Sequence, residues 1–96
     1  MSQSSDVVTG ARLPEQVALH ARPAGLFVRA AATFPCDVVV AANGKRANAK
    51  SILEVLGLGA TGGTELELSA SGDRAAEAVE RLAALVRSLE IGRAHV

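Results

Sequence analysis

The sequence predicts an α+β domain of order βαββαβα, in which amphipathic helices cover one face of an antiparallel sheet. Three patterns predict it. A Val-rich run after Cys36 leads into Asn43-Gly44 and a second short stretch; Asn-Gly is the strongest short-range hairpin signal because both residues tolerate positive φ. Thr64–Ser71 (TELELSAS) alternates, with Leu66, Leu68 and Ala70 on one face and Glu65, Glu67 and Ser69 on the other, as a strand with one wet face does. Two longer stretches, Ala21–Phe34 and the segment after Asp73, repeat apolar residues at helical spacing.

Val7–Leu13 (VVTGARL) is a β-prone stretch interrupted by Gly10 and stopped by Pro14, which lacks the donor a ladder needs. The first helix spans Ala21–Phe34, with Ala24, Phe27, Val28, Ala31 and Phe34 facing a core. Pro23 falls in its first turn, where a missing N–H costs nothing, and Pro35 marks its end. After the hairpin, Ser51-Ile52-Leu53-Glu54 matches a capping box, so a short second helix starts at Ser51, runs to about Leu56 and is ended by Gly57. Asp73 is placed to cap a third helix whose apolar stripe is Ala76, Val79, Leu82, Ala83, Val86 and Leu89, with Glu77 and Arg81 spaced for an i,i+4 pair.

At 96 residues, with no internal repeat or linker, residues 1–90 are expected to form a single domain. The opening MSQSSD reads as a polar, frayed terminus. The closing IGRAHV, residues 91–96, is what a stretch of common sequencing adapter encodes in one frame, so it is expected to be a non-native tail, His95 included, with no part in function.

Composition narrows the function. Ten basic residues balance ten acidic ones, which removes the long-range field of a general polyanion binder. The only aromatics are Phe27 and Phe34, too few for base-stacking platforms, so nucleic acid is not an expected partner. Cys36 is the one cysteine and has no bridging mate; it reads as a small core filler. No stretch reads as a signal peptide or membrane span, which points to the cytoplasm. No metal-ligand spacing is present, and neither metal nor cofactor is expected. Gly57–Thr64 (GLGATGGT) approaches a phosphate-binding loop, but Gly63 stands where that motif has lysine, and the order is helix, loop, strand instead of the reverse.

His20 has more to offer. It lies just before the first helix, where free N–H groups gather partial positive charge. A neutral ring gains little there, whereas an anion carried on the ring would gain backbone donors and the dipole together. Arg22, in the same turn, can add a charge-assisted contact to phosphate oxygens. Spacing alone leaves open that His20 is an ordinary surface or capping residue.

LHARPAGLFVRAAATF, beginning at Leu19, resembles the active-site segment of the HPr family, the histidine-containing phosphocarriers of the bacterial sugar phosphotransferase system. NGKRANAKSILEVLGLGATGGTELELSASG, beginning at Asn43, is similar to that family's second signature region and the strand after it. The two regions sit at the family's usual separation without a gap, and the likeness spans about Val7 to Leu89. It implies an open-faced β-sandwich of four antiparallel strands covered on one face by three helices, in agreement with the element order above.

The resemblance also implies a relay. The residue matching His20 takes a phosphoryl group through Nδ1 from phosphorylated enzyme I and passes it to a IIA component of a sugar transporter. Arg22 and the amides starting at Ala21 would steady the dianion, and Pro23 would fix the turn. Such a chain is transiently phosphorylated and is not a free-standing enzyme; it would act as a monomer, without membrane insertion. A carrier of a regulatory branch, nitrogen-related or for dihydroxyacetone phosphorylation, is the rival within the family; a non-catalytic α+β binding module is the rival outside it. A regulatory paralogue in the family lacks the active histidine, which this chain keeps.

Ser51 carries two readings: a structural cap worth about 1 kcal/mol, and, as the resemblance implies, a phosphorylation site for a dedicated serine kinase/phosphorylase. Ile52, Leu53, Val55, Leu56 and Leu58 crowd a helix too short to bury them all, so some must face water. Leu53 and Leu56 above all, with Ile52 and the outer residues of the first helix, Arg22, Gly25, Leu26 and Arg29, are expected to form a docking patch, Arg29 meeting acidic partner groups. Gly25 departs from the family, which often has Ser, Thr or Ala there, and glycine costs a helix roughly 0.5–1 kcal/mol.

Overall fold

A computed structural model describes residues 6–89. Its elements follow the order β1 (Val7–Arg12), α1 (Ala21–Ala32), β2 (Asp37–Ala42), β3 (Lys45–Asn48), α2 (Ile52–Leu56), β4 (Glu65–Ser71) and α3 (Ala75–Ser88). The polar opening up to residue 5 and the expected non-native tail at 91–96 lie outside the described residues.

The four strands form one antiparallel sheet in the order β1-β4-β2-β3. β4 lies between β1 and β2, pairing Thr9 with Leu68 on one side and Val40 with Leu68 on the other. The hairpin turn is as expected: Asn43 at φ 55° and Gly44 at φ 77° close β2 onto β3 with Ala42 opposite Lys45, the geometry of a two-residue primed turn. The turn is tied down from outside the sheet, since Asn43 Nδ2 donates to the Leu58 carbonyl at 3.2 Å.

Alternation decides which side the helices cover. Leu66, Leu68 and Ala70 of β4, Val38 and Val40 of β2, Ala47 of β3 and Ala11 of β1 are all buried, and the three helices pack onto that one face. Against them α1 presents Ala24, Phe27 and Ala31, α2 presents Val55, and α3 presents Ala75, Ala78, Val79, Leu82, Ala83 and Val86. The core is aliphatic apart from Phe27 and Phe34, with Cys36 buried in it as a free thiol. The other face of the sheet, with Val8, Glu67 and Arg46 exposed, is open.

Three local expectations are corrected. Helix α1 ends at Ala32, with Thr33 as its C-cap, two residues short of Phe34; the Lys50 ammonium donates to the Phe34 carbonyl at 2.7 Å, satisfying an acceptor just past the end of the helix. Asp73 does not cap α3. The cap position belongs to Arg74, in left-handed conformation at φ 64° with no side-chain cap bond, and the Ala75 N–H turns back to the Gly72 carbonyl. The α3 stripe holds at Val79, Leu82, Ala83 and Val86, and fails only in the first turn, where Ala76 is exposed while Ala75 and Ala78 are buried. Glu77 pairs with Arg74 at 2.9 Å in place of Arg81; the Arg74 guanidinium also lies 5.2 Å over the Phe34 ring.

Candidate functional site

His20 is the N-cap residue of α1. Its backbone is extended (φ −87°, ψ −163°), and its side chain makes no capping bond. Its N–H donates to the Ala18 carbonyl at 2.8 Å, and its carbonyl accepts the first helical bond, from Ala24 N–H, also at 2.8 Å. The backbone is thus fixed on both sides of an exposed imidazole.

Proline at the third helical position has no N–H. The amides of Ala21 and Arg22 therefore stand as the available donors of the first turn, and neither has a backbone acceptor among the described residues. No carboxylate comes within ion-pair distance of Arg22 among the described residues, the ion pair found being Arg74 with Glu77. One helix start thus collects two uncommitted amides, the positive end of a 12-residue helix dipole and an unpaired guanidinium. That set favours an anion carried on the ring.

Beside the ring is an open groove of about 530 Å³, lined by His20, Arg22, Pro23 and Leu26 together with Gln16, Val17, Ala18 and Leu89. The first four were visible as site candidates in the sequence; the second four were not. Gln16–Ala18 belong to an irregular turn that carries no periodic signal. Leu89 read as one more core position, yet it is half-buried at the end of α3 and completes the groove wall. Gly25 and Arg29 lie on α1 outside this groove, and the α2 residues Ser51, Ile52, Leu53 and Leu56 do not line it.

Helix α2 packs against α1 and sorts its crowded apolar residues sharply. Val55 and the following Leu58 are buried, while Leu53 is 79% exposed and Ile52, Leu56 and, on α1, Leu26 are each exposed by about two-fifths. Ser51 caps α2 as expected, its Oγ accepting the Glu54 N–H at 3.3 Å. The reciprocal half of the box is absent: Glu54 Oε1 accepts from the Asn48 N–H at 2.8 Å, while the Ser51 N–H goes to the Asn48 carbonyl. The backbone bends back at the end of β3 and delivers a nearer donor to the Glu54 carboxylate.

Residues 11–88 match the family model described as the PTS HPr component phosphorylation site. The chain is 48% identical over 71 residues to the phosphocarrier protein HPr of Vibrio cholerae, covering 74% of this chain and 84% of that one. It is 54% identical over 69 residues to the HPr of Streptomyces coelicolor, covering 71% and 74%. Among solved structures, HPr from Bacillus anthracis superposes with a TM-score of 0.82 at 36% identity, covering 86% of this chain and 99% of that one.

Proposed function

The chain belongs to the HPr family of phosphotransferase-system phosphocarriers, and on that premise we propose that His20 is the phosphoryl acceptor, charged by phosphorylated enzyme I and discharged to a IIA component of a sugar transporter. The observation that carries this reading is the position of an exposed imidazole at the start of α1, beside two uncommitted amides and the unpaired Arg22.

The Nδ1 lone pair of His20 attacks phosphorus in line with the donor. A P–N bond forms as the donor–phosphorus bond breaks, with its electron pair leaving on the donor. The three phosphoryl oxygens then sit within reach of the helix start and of the Arg22 fork, whose charge is compensated by no carboxylate among the described residues. Both groups are in place before transfer, so little reorganisation is required as charge arrives. Pro23 holds the turn, and Ala21 contributes an amide without a side chain to crowd the dianion. Reversal of the same step against an acceptor nucleophile passes the group onward. A phosphohistidine suits this because its P–N bond is labile.

Leu26, Arg29, Ile52, Leu53 and Leu56, with Gly25 between them on α1, form the docking surface for both partners in this reading. An apolar patch rimmed by an arginine that has no ion-pair partner among the described residues suits acidic-rimmed partner surfaces. A phosphate on Ser51, added by a serine kinase, would place a dianion beside that patch and oppose docking while remaining compatible with the N-terminus of α2. The carrier acts as a monomer in the cytoplasm.

Incubation with enzyme I and phosphoenolpyruvate is expected to give an acid-labile, base-stable adduct, and His20→Ala to abolish it. Absence of the adduct would leave a binding module in its place. Presenting the charged protein in turn to sugar-specific IIA components and to those of regulatory branches identifies the acceptor, since the cognate one discharges it fastest.

A further inference from the structure

Between β1 and α1 the chain makes an irregular turn whose two ends are fastened to one loop. The Leu13 N–H donates to the Thr64 carbonyl at 2.9 Å and its carbonyl accepts from the Gly63 N–H at 3.0 Å; six residues later the Leu19 N–H donates to the Ala60 carbonyl at 2.9 Å. Arg12 Nε adds a bond to the Gly63 carbonyl at 3.1 Å. Leu13, Leu19 and Ala60 are buried, so these anchors are shielded from water. Between them the turn closes on itself through Val17 N–H to the Pro14 carbonyl at 3.0 Å and rests on Gly62. A Cβ at Gly62 would stand 2.5 Å from the Glu15 carbonyl carbon, nearer still to its oxygen, and 3.2 Å from the Pro14 oxygen.

We infer that Gly62 is a positioning residue for His20, setting the depth at which the 14–18 turn seats on the Ala60–Thr64 loop and thereby placing the imidazole and the groove floor beside it. The inference rests on the phosphocarrier reading of His20. Non-bonded carbons pack at about 3.5–4.0 Å, so a methyl group at Gly62 must push the Glu15 backbone away by about an ångström. With Leu13 tied by two bonds, that displacement runs toward Gln16, Val17 and Ala18, which line the groove, or breaks the Leu19–Ala60 bond next to His20. Either result moves the ring relative to the Ala21 and Arg22 amides. The docking residues on α2 stay where they are.

The test is steady-state phosphoryl transfer from enzyme I, with phosphoenolpyruvate as donor and this protein as varied substrate, for wild type, Gly62→Ala, Thr64→Val and Gly44→Ala. Gly44 sits at φ +77° with open space around a Cβ, so its alanine variant strains the distant hairpin without touching the turn. Gly62→Ala is expected to lower kcat roughly tenfold to a hundredfold, as an ångström of misplacement does, with KM within about twofold of wild type. The amide resonances of Val17 to Arg22 should shift while those of Leu53 and Leu56 do not, and Gly44→Ala should keep wild-type kinetics.

A folded Gly62→Ala with wild-type kcat overturns the inference. So does a change in KM alone, or a kcat loss matching the unfolded fraction. If Gly62→Ala does not fold, Thr64→Val decides: it removes the hydroxyl that accepts the Thr61 N–H at 3.2 Å and loosens the loop without adding bulk under Glu15. A smaller kcat loss with the same pattern of shifted amides supports the inference, and wild-type kinetics with unmoved amides overturns it. Wild type that takes no phosphoryl group overturns the carrier reading together with this one; a labelled wild type confines any failure to Gly62.

Discussion

Glu54 and Asn48 are joined by a hydrogen bond of 2.8 Å from the Asn48 N–H to the Glu54 carboxylate, which ties the first turn of α2 to the end of β3. The bond is charge-assisted but exposed, so Glu54→Ala is expected to cost about 1 kcal/mol. Glu54→Gln, which keeps an acceptor oxygen, is expected to cost less. Urea denaturation midpoints for the pair check this; equal losses would mean that the charge, and not the bond, matters at this position.

Gly25 lies in the body of α1, and a Cβ there would meet nothing within 4 Å. Gly25→Ala is therefore expected to stabilise the protein by roughly 0.5–1 kcal/mol, seen as a higher melting temperature. If transfer from enzyme I slows at the same time, the missing side chain serves the approach of a partner. Unchanged transfer leaves Gly25 as a position where the helix is merely loosened.

Leu53 and Val55 are two residues apart and opposite in environment, 79% and 0% exposed respectively. Leu53→Ala is expected to change stability by less than about 0.5 kcal/mol yet raise the KM of this protein as a substrate of enzyme I several-fold. Val55→Ala is expected to do the reverse, lowering stability by about 1–3 kcal/mol with little effect on transfer by the folded fraction. Parallel calorimetry and transfer kinetics on the two variants separate docking from packing; a wild-type KM for Leu53→Ala would remove it from the docking surface.

The Glu77 carboxyl is held below the usual carboxylate range, first by its hydrogen bond to Arg74 and also by the charges of Arg74 and Arg81. A group whose folded pKa is depressed contributes stability that is present above its unfolded pKa and is lost as pH falls through the folded value. The wild type should therefore lose stability between the ordinary glutamate range and the lower pH at which folded Glu77 protonates, and Glu77→Gln should lack that component. Because the pair is about half exposed, the difference is small and should shrink in high salt. Thermal melts across that range in low and high salt check it.

Much of this fold can be read locally. The Asn43-Gly44 turn, the alternation of β4 and the face of α1 from Ala24 through Ala31 depend on neighbours in sequence, and the structure reproduces them. The first turn of α3 cannot be read so easily, because alanine is common on both sides of a helix. Ala75, Ala76 and Ala78 do not mark an inner face until packing on the sheet chooses one. Nor does the sequence announce that Arg74, left-handed at the cap position, brings its guanidinium onto Glu77.

The candidate site divides the same way. His20, Arg22, Pro23 and Leu26 lie in one continuous stretch, and their convergence at a helix start is a local matter. Gln16, Val17 and Leu89 reach the groove only because the 14–18 turn and the end of α3 meet there in three dimensions. The apolar loop residues Gly57–Thr64, set aside in the sequence because they hold no nucleotide motif, turn out to support the His20 segment. Nothing in their own pattern announces it, since Gly62 has meaning only against Glu15, 47 positions earlier in the chain.

The bare side of the sheet has a practical consequence. Glu67 stands there on the interior strand β4, exposed, and none of the residues around His20 belongs to that surface. Cys36 is sealed in the core, so after Glu67→Cys the described residues would hold a single reachable thiol. A probe or a solid support attached through it would leave the imidazole facing solution, and exchange with partners could be followed on the tethered molecule itself.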